Sequence, residues 1–228
     1  MSVRAARRPL IIALTGGVAA GKSTMAEALA GLIAAMPGGP SVGRAGTDGF
    51  LHPNAVLSKR GLLDRKGFPE TYDRDALHAA LDEVRRGPTV IPGYSHVTYD
   101  VDRVDARIID RPDVLIVEGL GLDRSAPVDV LVYLDADEAD QEAWYVSRFL
   151  EFWDIGRRDG ASFYARFRDL DAAAVARLAT RVWSTVNRAN LRDHIVPIRA
   201  GADIVVTKGA DHAIIAIDVR AGDAREIA

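Results

Sequence analysis

The sequence contains no cysteine. Disulfides, iron–sulfur clusters and thiolate zinc sites are therefore excluded. Long apolar runs are also missing. The one near the start, Leu10 to Leu14, is five residues, whereas a membrane span needs roughly 20. There is no positive charge excess either: 29 basic residues face 32 acidic ones, for a net charge of -3. That argues against a nucleic-acid binder working by phosphate neutralisation. Lysine is scarce, with 4 against 25 arginines, so each lysine stands out. What remains is ordinary globular material, 48% hydrophobic and 27% charged over 228 residues, and one domain spanning 1–228 is expected.

Arg4, Arg7 and Arg8 precede the first apolar run. A secretory signal core is usually ~7–15 residues with a cleavage site behind it. Here the run stops at five and enters Thr15-Gly16-Gly17, so it reads as a short buried parallel strand. The expected location is the cytoplasm.

Strand and helix patterns alternate along the chain. Leu10–Thr15 reads as a strand and Ser23–Ala35 as a helix, ended by Pro37-Gly38-Gly39-Pro40. Val42–Thr47 is a second strand, and Asp48–Tyr72 is turn-rich. Arg74–Arg86 is helical, and Gly93–Asp110 alternates like a ribbon. Asp113–Val117 and Val128–Leu134 are buried strands ending on Glu118 and Asp135. Glu138–Phe152 and Leu170–Leu191 are helices; Ala202–Val206 and Ala213–Val219 are late strands. The fold class expected is α/β, doubly wound, with a mostly parallel sheet and helices on both faces.

Gly16-Gly17-Val18-Ala19-Ala20-Gly21-Lys22-Ser23 fits G-x-x-x-x-G-K-[ST], the phosphate-binding P-loop. Glycines let successive N–H groups turn around a polyphosphate, and the following helix presents its positive end. Lys22 would reach the β/γ-phosphates and Ser23 would ligate Mg²⁺. The strand before and the helix after supply the context the motif requires. Asp48 and Glu118 close candidate strands, and carboxyl ends of parallel strands line the ligand crevice. One carboxylate can take a substrate proton while the other holds Mg²⁺. Arg148 lies among Tyr145, Phe149 and Phe152 at helical spacing; a solvated arginine over core aromatics is the plainer reading of that pattern. A guanine-reading N-K-x-D is missing after the late strand, where Thr207-Lys208-Gly209-Ala210-Asp211 stands instead, so ATP is the expected donor.

Longer motifs follow: Thr47-Asp48-Gly49-Phe50-Leu51-His52-Pro53-Asn54, Arg65-Lys66-Gly67-Phe68-Pro69-Glu70-Thr71-Tyr72-Asp73, Tyr94-Ser95-His96 with Tyr99-Asp100, and Val117-Glu118-Gly119-Leu120. With Trp144-Tyr145-Val146-Ser147-Arg148-Phe149-Leu150 and Trp183 with Asn187 and Asn190-Leu191, they closely resemble bacterial type I pantothenate kinase. That family belongs to the P-loop kinases that include uridine kinase and phosphoribulokinase. The resemblance implies ATP- and Mg²⁺-dependent phosphorylation of a small alcohol, pantothenate, the first step toward coenzyme A. It implies Asp48 as general base, with Lys22 and Arg148 completing the catalytic set. Gly16 through Ser23, Thr24 and His212 would serve the nucleotide, and Ser23 and Glu118 the metal. Tyr94, His96, Tyr145, Phe149, Phe152 and Asn187 would form the acceptor pocket. A homodimer is expected, with no nucleic-acid or membrane partner. Two other readings stay open: a kinase of the same group acting on a nucleoside or sugar acid, and a non-catalytic nucleotide-binding regulator. The chain departs from the family in four places. Nine residues precede the first strand, where the family has a long helical segment. Gly121 replaces an asparagine. Leu122–Pro127 is a shortened loop, and Phe163 and Phe167 align with tyrosines.

Kinases of this family are inhibited by coenzyme A in competition with ATP, and carry an arginine five residues after the P-loop lysine. That position is Glu27 here. A carboxylate repels the phosphates that a guanidinium attracts. Inhibition of the unmodified protein by coenzyme A is therefore expected to be weak, and Glu27→Arg to strengthen it by more than about tenfold. Titrations at fixed ATP check this; micromolar, ATP-competitive inhibition of the unmodified protein contradicts it.

Overall fold

The computed structural model describes residues 8–220; Arg4 and Arg7 lie outside them. A six-stranded sheet carries the fold. Its strands are β1 (Leu10–Gly16), β2 (Val42–Gly46), β5 (Val114–Glu118), β6 (Val130–Ala136), β7 (Ile204–Lys208) and β8 (Ile214–Val219), in the order β2-β5-β1-β6-β7-β8. β3 (Thr89–Ser95) and β4 (Asp100–Ile109) form a separate antiparallel ribbon. All neighbours in the main sheet run parallel except β7 and β8. One antiparallel strand at the edge of an otherwise parallel sheet matches the mostly parallel expectation. Its connection, residues 209–213, is a short turn, and a parallel return needs a crossover.

The strands are apolar on both sides, as a sheet covered on both faces requires. Ile11, Ala13, Leu115, Val117, Leu131 and Tyr133 point to one face, against helix α3 (Arg74–Val84) and Trp183. Leu14, Ile116, Val132 and Leu134 point to the other, against α1 (Lys22–Ala34) through Met25, Leu29 and Ile33. Helix α3 starts where Asp73 accepts the Ala76 N–H at 3.0 Å, and it buries Leu77, Ala80, Leu81 and Val84 at helical spacing. The turn-rich segment before it contains one short helix, α2 (Asn54–Lys59).

A second layer lies beyond the sheet. Helix α4 (Glu138–Arg158) runs further than Phe152, so Arg157 and Arg158 fall in its last turn. It packs against Phe163–Phe167 and α5 (Ala172–Val182) through Phe149, Trp153, Tyr164, Val175 and Ala179. α5 begins later than the sequence pattern suggests, because Asp171 caps it by accepting the Ala174 N–H at 2.6 Å. The helix then continues through wide π turns at Trp183–Asn187 and Leu191–Ile195. Among the described residues no helix is long and apolar enough to cross a membrane.

At the far end of the sheet, Arg85 closes the entry to β1 and β6. Its guanidinium donates to Pro9 O at 2.8 Å, Pro127 O at 2.7 Å and both Asp129 oxygens at 3.0 and 3.3 Å. Asp129 in turn accepts the Ile11 N–H at 2.7 Å. Removing the nearly buried guanidinium leaves the carboxylate and two carbonyls without it. Arg85→Ala is expected to cost about 2 kcal/mol, lowering Tm by roughly 4–8 °C in a chain of this size. The site lies at the opposite sheet edge, so kcat should hold. An unchanged Tm in a thermal melt would refute the role.

Candidate active site

β1 ends at Gly16, and α1 opens at Lys22. Gly16 has φ +145°, and a Cβ there would lie 2.4 Å from the Leu134 carbonyl oxygen. Only glycine lets the loop leave the strand so close to β6. Gly21, at φ +83°, turns the chain into α1. No side chain caps that helix, so its first N–H groups remain directed at the loop, a setting that favours an anion. Of the other loop residues, Ala19 is left-handed at φ +66°, the Ala20 carbonyl accepts from Lys208 at 2.9 Å, and Thr24 is exposed in the first turn. Gly17 packs against the buried Gln141 of α4. Val18 completes the loop.

Lys22 Nζ donates to the Gly16 and Gly17 carbonyls at 3.2 and 2.8 Å. Burial pulls its ammonium down to about 8; Glu118 and Asp48 oppose that shift, and Arg148 adds to it. The four charged groups therefore share one field. Ser23 Oγ donates to Glu118 Oε1 at 2.8 Å. A hydroxyl and a carboxylate oxygen at the P-loop are a hard donor set of the kind Mg²⁺ takes, with phosphate and water completing its shell.

Strand register brings the acids to this edge. Glu118 pairs with Leu14 on one side and Gly46 on the other, and its carbonyl accepts the Thr47 N–H at 2.9 Å. Asp48 follows directly. It does not close a strand, as the sequence suggested: β2 stops at Gly46, and Asp48 opens a 3₁₀ turn, Asp48–Phe50. That turn seats Asp48 beside buried Tyr72, whose hydroxyl lies 3.4 Å from Asp48 Oδ1. Burial, then the Asp48 charge, holds the Tyr72 phenol well above its usual range, so it stays protonated and able to donate.

The residues that the resemblance assigned to the acceptor gather near Asp48. Tyr94 and His96 stand on the ribbon, 5.1 Å apart between ring centres, and His96 stacks on Phe152 of α4 at 6.1 Å. Tyr145 and the exposed Arg148 stand on α4. Burial raises the Tyr145 hydroxyl, and Asn187 beside it works against that shift. Asn187 Nδ2 is buried without a hydrogen-bond partner. Phe149 is buried against Tyr145 and Tyr164. Phe163 meets Tyr99 at 4.7 Å, and Phe167 lies against Phe149 at 5.9 Å. A separate stack stands by the P-loop: His212 lies on Trp144 at 4.0 Å, with Lys208 Nζ 3.3 Å from His212 Nδ1 and bonded to the Ala20 carbonyl.

Three residues carry more of the site than their sequence pattern assigned. Lys66 donates to Asn54 Oδ1 at 2.7 Å and Tyr99 O at 2.6 Å, and faces the Tyr94 and Tyr99 rings at 4.9 and 4.5 Å. Burial lowers it to about 8, against the pull of Asp100 and Asp48. Tyr72 and Lys208 are the others. The rarity of lysine was a usable signal, since Lys22, Lys66 and Lys208 are three of four.

Comparison with known proteins agrees with this geometry. The phosphoribulokinase / uridine kinase family matches residues 11–151. A pantothenate kinase of Sorangium cellulosum is 43% identical over 226 residues, covering 94% of this chain and 73% of its own length. One from Rhodopseudomonas palustris strain TIE-1 is 41% identical over 230 residues, covering 94% and 72%. A crystal structure from Silicibacter sp. TM1040, described provisionally as a fructose transport system kinase, superposes with a TM-score of 0.69 at 27% identity, covering 90% and 92%. The chain accordingly belongs to the phosphoribulokinase / uridine kinase family and, within it, to the pantothenate kinases.

Proposed function

We propose that the chain is a single kinase domain that transfers the γ-phosphoryl group of ATP to the primary hydroxyl of pantothenate. For the acceptor, the carrying observation is the 43% identity with a pantothenate kinase over 94% of the chain. For the chemistry, it is the common field of Lys22, Glu118, Arg148 and Asp48 at one sheet edge.

Asp48 accepts the proton of the acceptor hydroxyl as its oxygen attacks the γ-phosphorus. The bond from that phosphorus to the bridging oxygen breaks, and ADP leaves with the electron pair. Lys22 exchanges its Gly16 and Gly17 carbonyls for phosphate oxygens. Arg148, exposed on α4, neutralises charge on the migrating group. Ser23 and Glu118 would hold Mg²⁺, which would supply positive charge against the developing negative charge of the phosphates. Tyr94, His96, Tyr145 and Asn187 orient the acceptor, and Phe152 backs it. His212 and Trp144 flank the nucleotide.

An ADP-release assay across pantothenate, pantetheine, uridine and glycerate tests the reading. Pantothenate should give the highest kcat/KM; uridine or glycerate outrunning it would reject the assignment. Asp48→Asn should lower kcat by about 10²–10⁴ with ATP affinity little changed, and a variant keeping most of kcat would remove Asp48 as base. The titration of Lys22 gives a further expectation. Its charged form attracts phosphate, and in the free protein it loses its proton near pH 8. ATP must restore that proton, so Kd for ATP should be level below pH 8 and weaken above it, approaching about tenfold per unit. Calorimetry without acceptor reads this limb; Lys22→Gln should bind weakly and flatten it, and a flat profile in the unmodified protein contradicts the assignment.

A further inference from the structure

Asn190 is 3% exposed and lies between the two π turns. Its Nδ2 donates to the Gly67 carbonyl at 2.8 Å, across 123 residues of chain. Its Oδ1 is buried and has no partner. An amide kept only to stabilise the interior would be expected to satisfy both ends, because an unmade buried bond is costly. Here one good bond is made, and it ends on the carbonyl of the residue directly after Lys66. Gly67 is held at φ +98°, a conformation open to glycine. Lys66 spends two of its three N–H bonds on Asn54 and on the Tyr99 carbonyl and turns toward Tyr94, Tyr99 and Asp48. Three residues before Asn190 stands Asn187, on the opposite wall of the same pocket. Leu191, one residue after, reaches the P-loop, where a Cβ on Gly17 would lie 3.3 Å from its Cδ1.

We propose that Asn190 is a positioning residue that clamps the Lys66 loop to the Asn187 helix and so fixes the width of the acceptor pocket relative to the P-loop. The inference rests on reading this pocket as the acceptor site. π turns recur at functional positions because they re-aim side chains that a regular helix would hold elsewhere. Here they flank the Asn190 amide that bonds the Lys66 loop.

The test reads Lys66 directly and then the kinetics. In Asn190→Ala and Asn190→Ser, both checked for folding by thermal melt, Lys66 is titrated by pH-dependent acetylation and mass spectrometry without substrate. The unmodified protein should show a midpoint near 8, lowered by burial; in the variants it should climb by at least one unit toward an ordinary lysine. KM for pantothenate should rise roughly tenfold, the size of one lost buried hydrogen bond, while KM for ATP moves less than about twofold. On a Lys66→Met background the same Asn190 change should do much less, since the two act as one unit. An unmoved Lys66 midpoint in a folded variant, equal effects on both KM values, or additive effects in the cycle would overturn the clamp. If the unmodified protein does not turn over pantothenate, the functional reading fails while the Lys66 midpoint still decides the clamp.

Discussion

Parallel pairing of β1 with β5, and of β5 with β2, is the constraint on which the site depends. It sets Leu14, Glu118 and Gly46 level with one another. From that one register the P-loop leaves β1, the Glu118 carboxylate tips β5, and Asp48 emerges two residues past β2. The sheet order then reverses direction at β1, since α1 leads to one side and β5 connects to β6 on the other. Open α/β sheets bind ligands at such a switch point. A slip of one residue in β5 would turn Glu118 to the other face and break the Ser23 contact.

Much of this was legible because it is local. Eight consecutive residues specify the P-loop, and the apolar strands DVLIV and VDVLVYL announce their burial by composition. Their boundaries proved accurate to a residue or two. Asp48 was correctly assigned to the sheet edge, but its own conformation was not, because a 3₁₀ turn after two glycine-flanked residues leaves no periodic trace. The proposed acceptor pocket is legible only through family likeness. Its members come from the Asp48 turn, the Lys66 loop, the ribbon, α4 and the π-wound helix. No spacing within any one of them shows that the others are near. The Lys66 bond to a backbone carbonyl and the Asn190 bridge are tertiary facts of this kind. The spacing of Phe149 fits a pocket wall and a core position equally, and its contact with Tyr164 is likewise visible only in the fold.

The pocket is built mostly from aromatic faces, and that shapes its electrostatics. Burial lifts the Tyr94, Tyr99 and Tyr145 hydroxyls above their ordinary range, and Tyr164 to about 12. All four remain neutral donors across the physiological range. The ionised side chains stand among these weakly polar walls, where charges are screened less than in water. That is the setting in which an arginine on α4 and a lysine on the P-loop can act on the same phosphate.

The sheet order also governs when the protein can take shape during synthesis. The central strand is the first in the chain, yet its neighbours begin at Val114 and Val130. As the amino terminus emerges, β1 has no partner for about a hundred residues, and its loop has no β6 carbonyl to lean on. Contacts of such sequence separation carry a large closure entropy and form late. The nucleotide cradle at the end of β1 is thus assembled only after roughly a hundred further residues have been made.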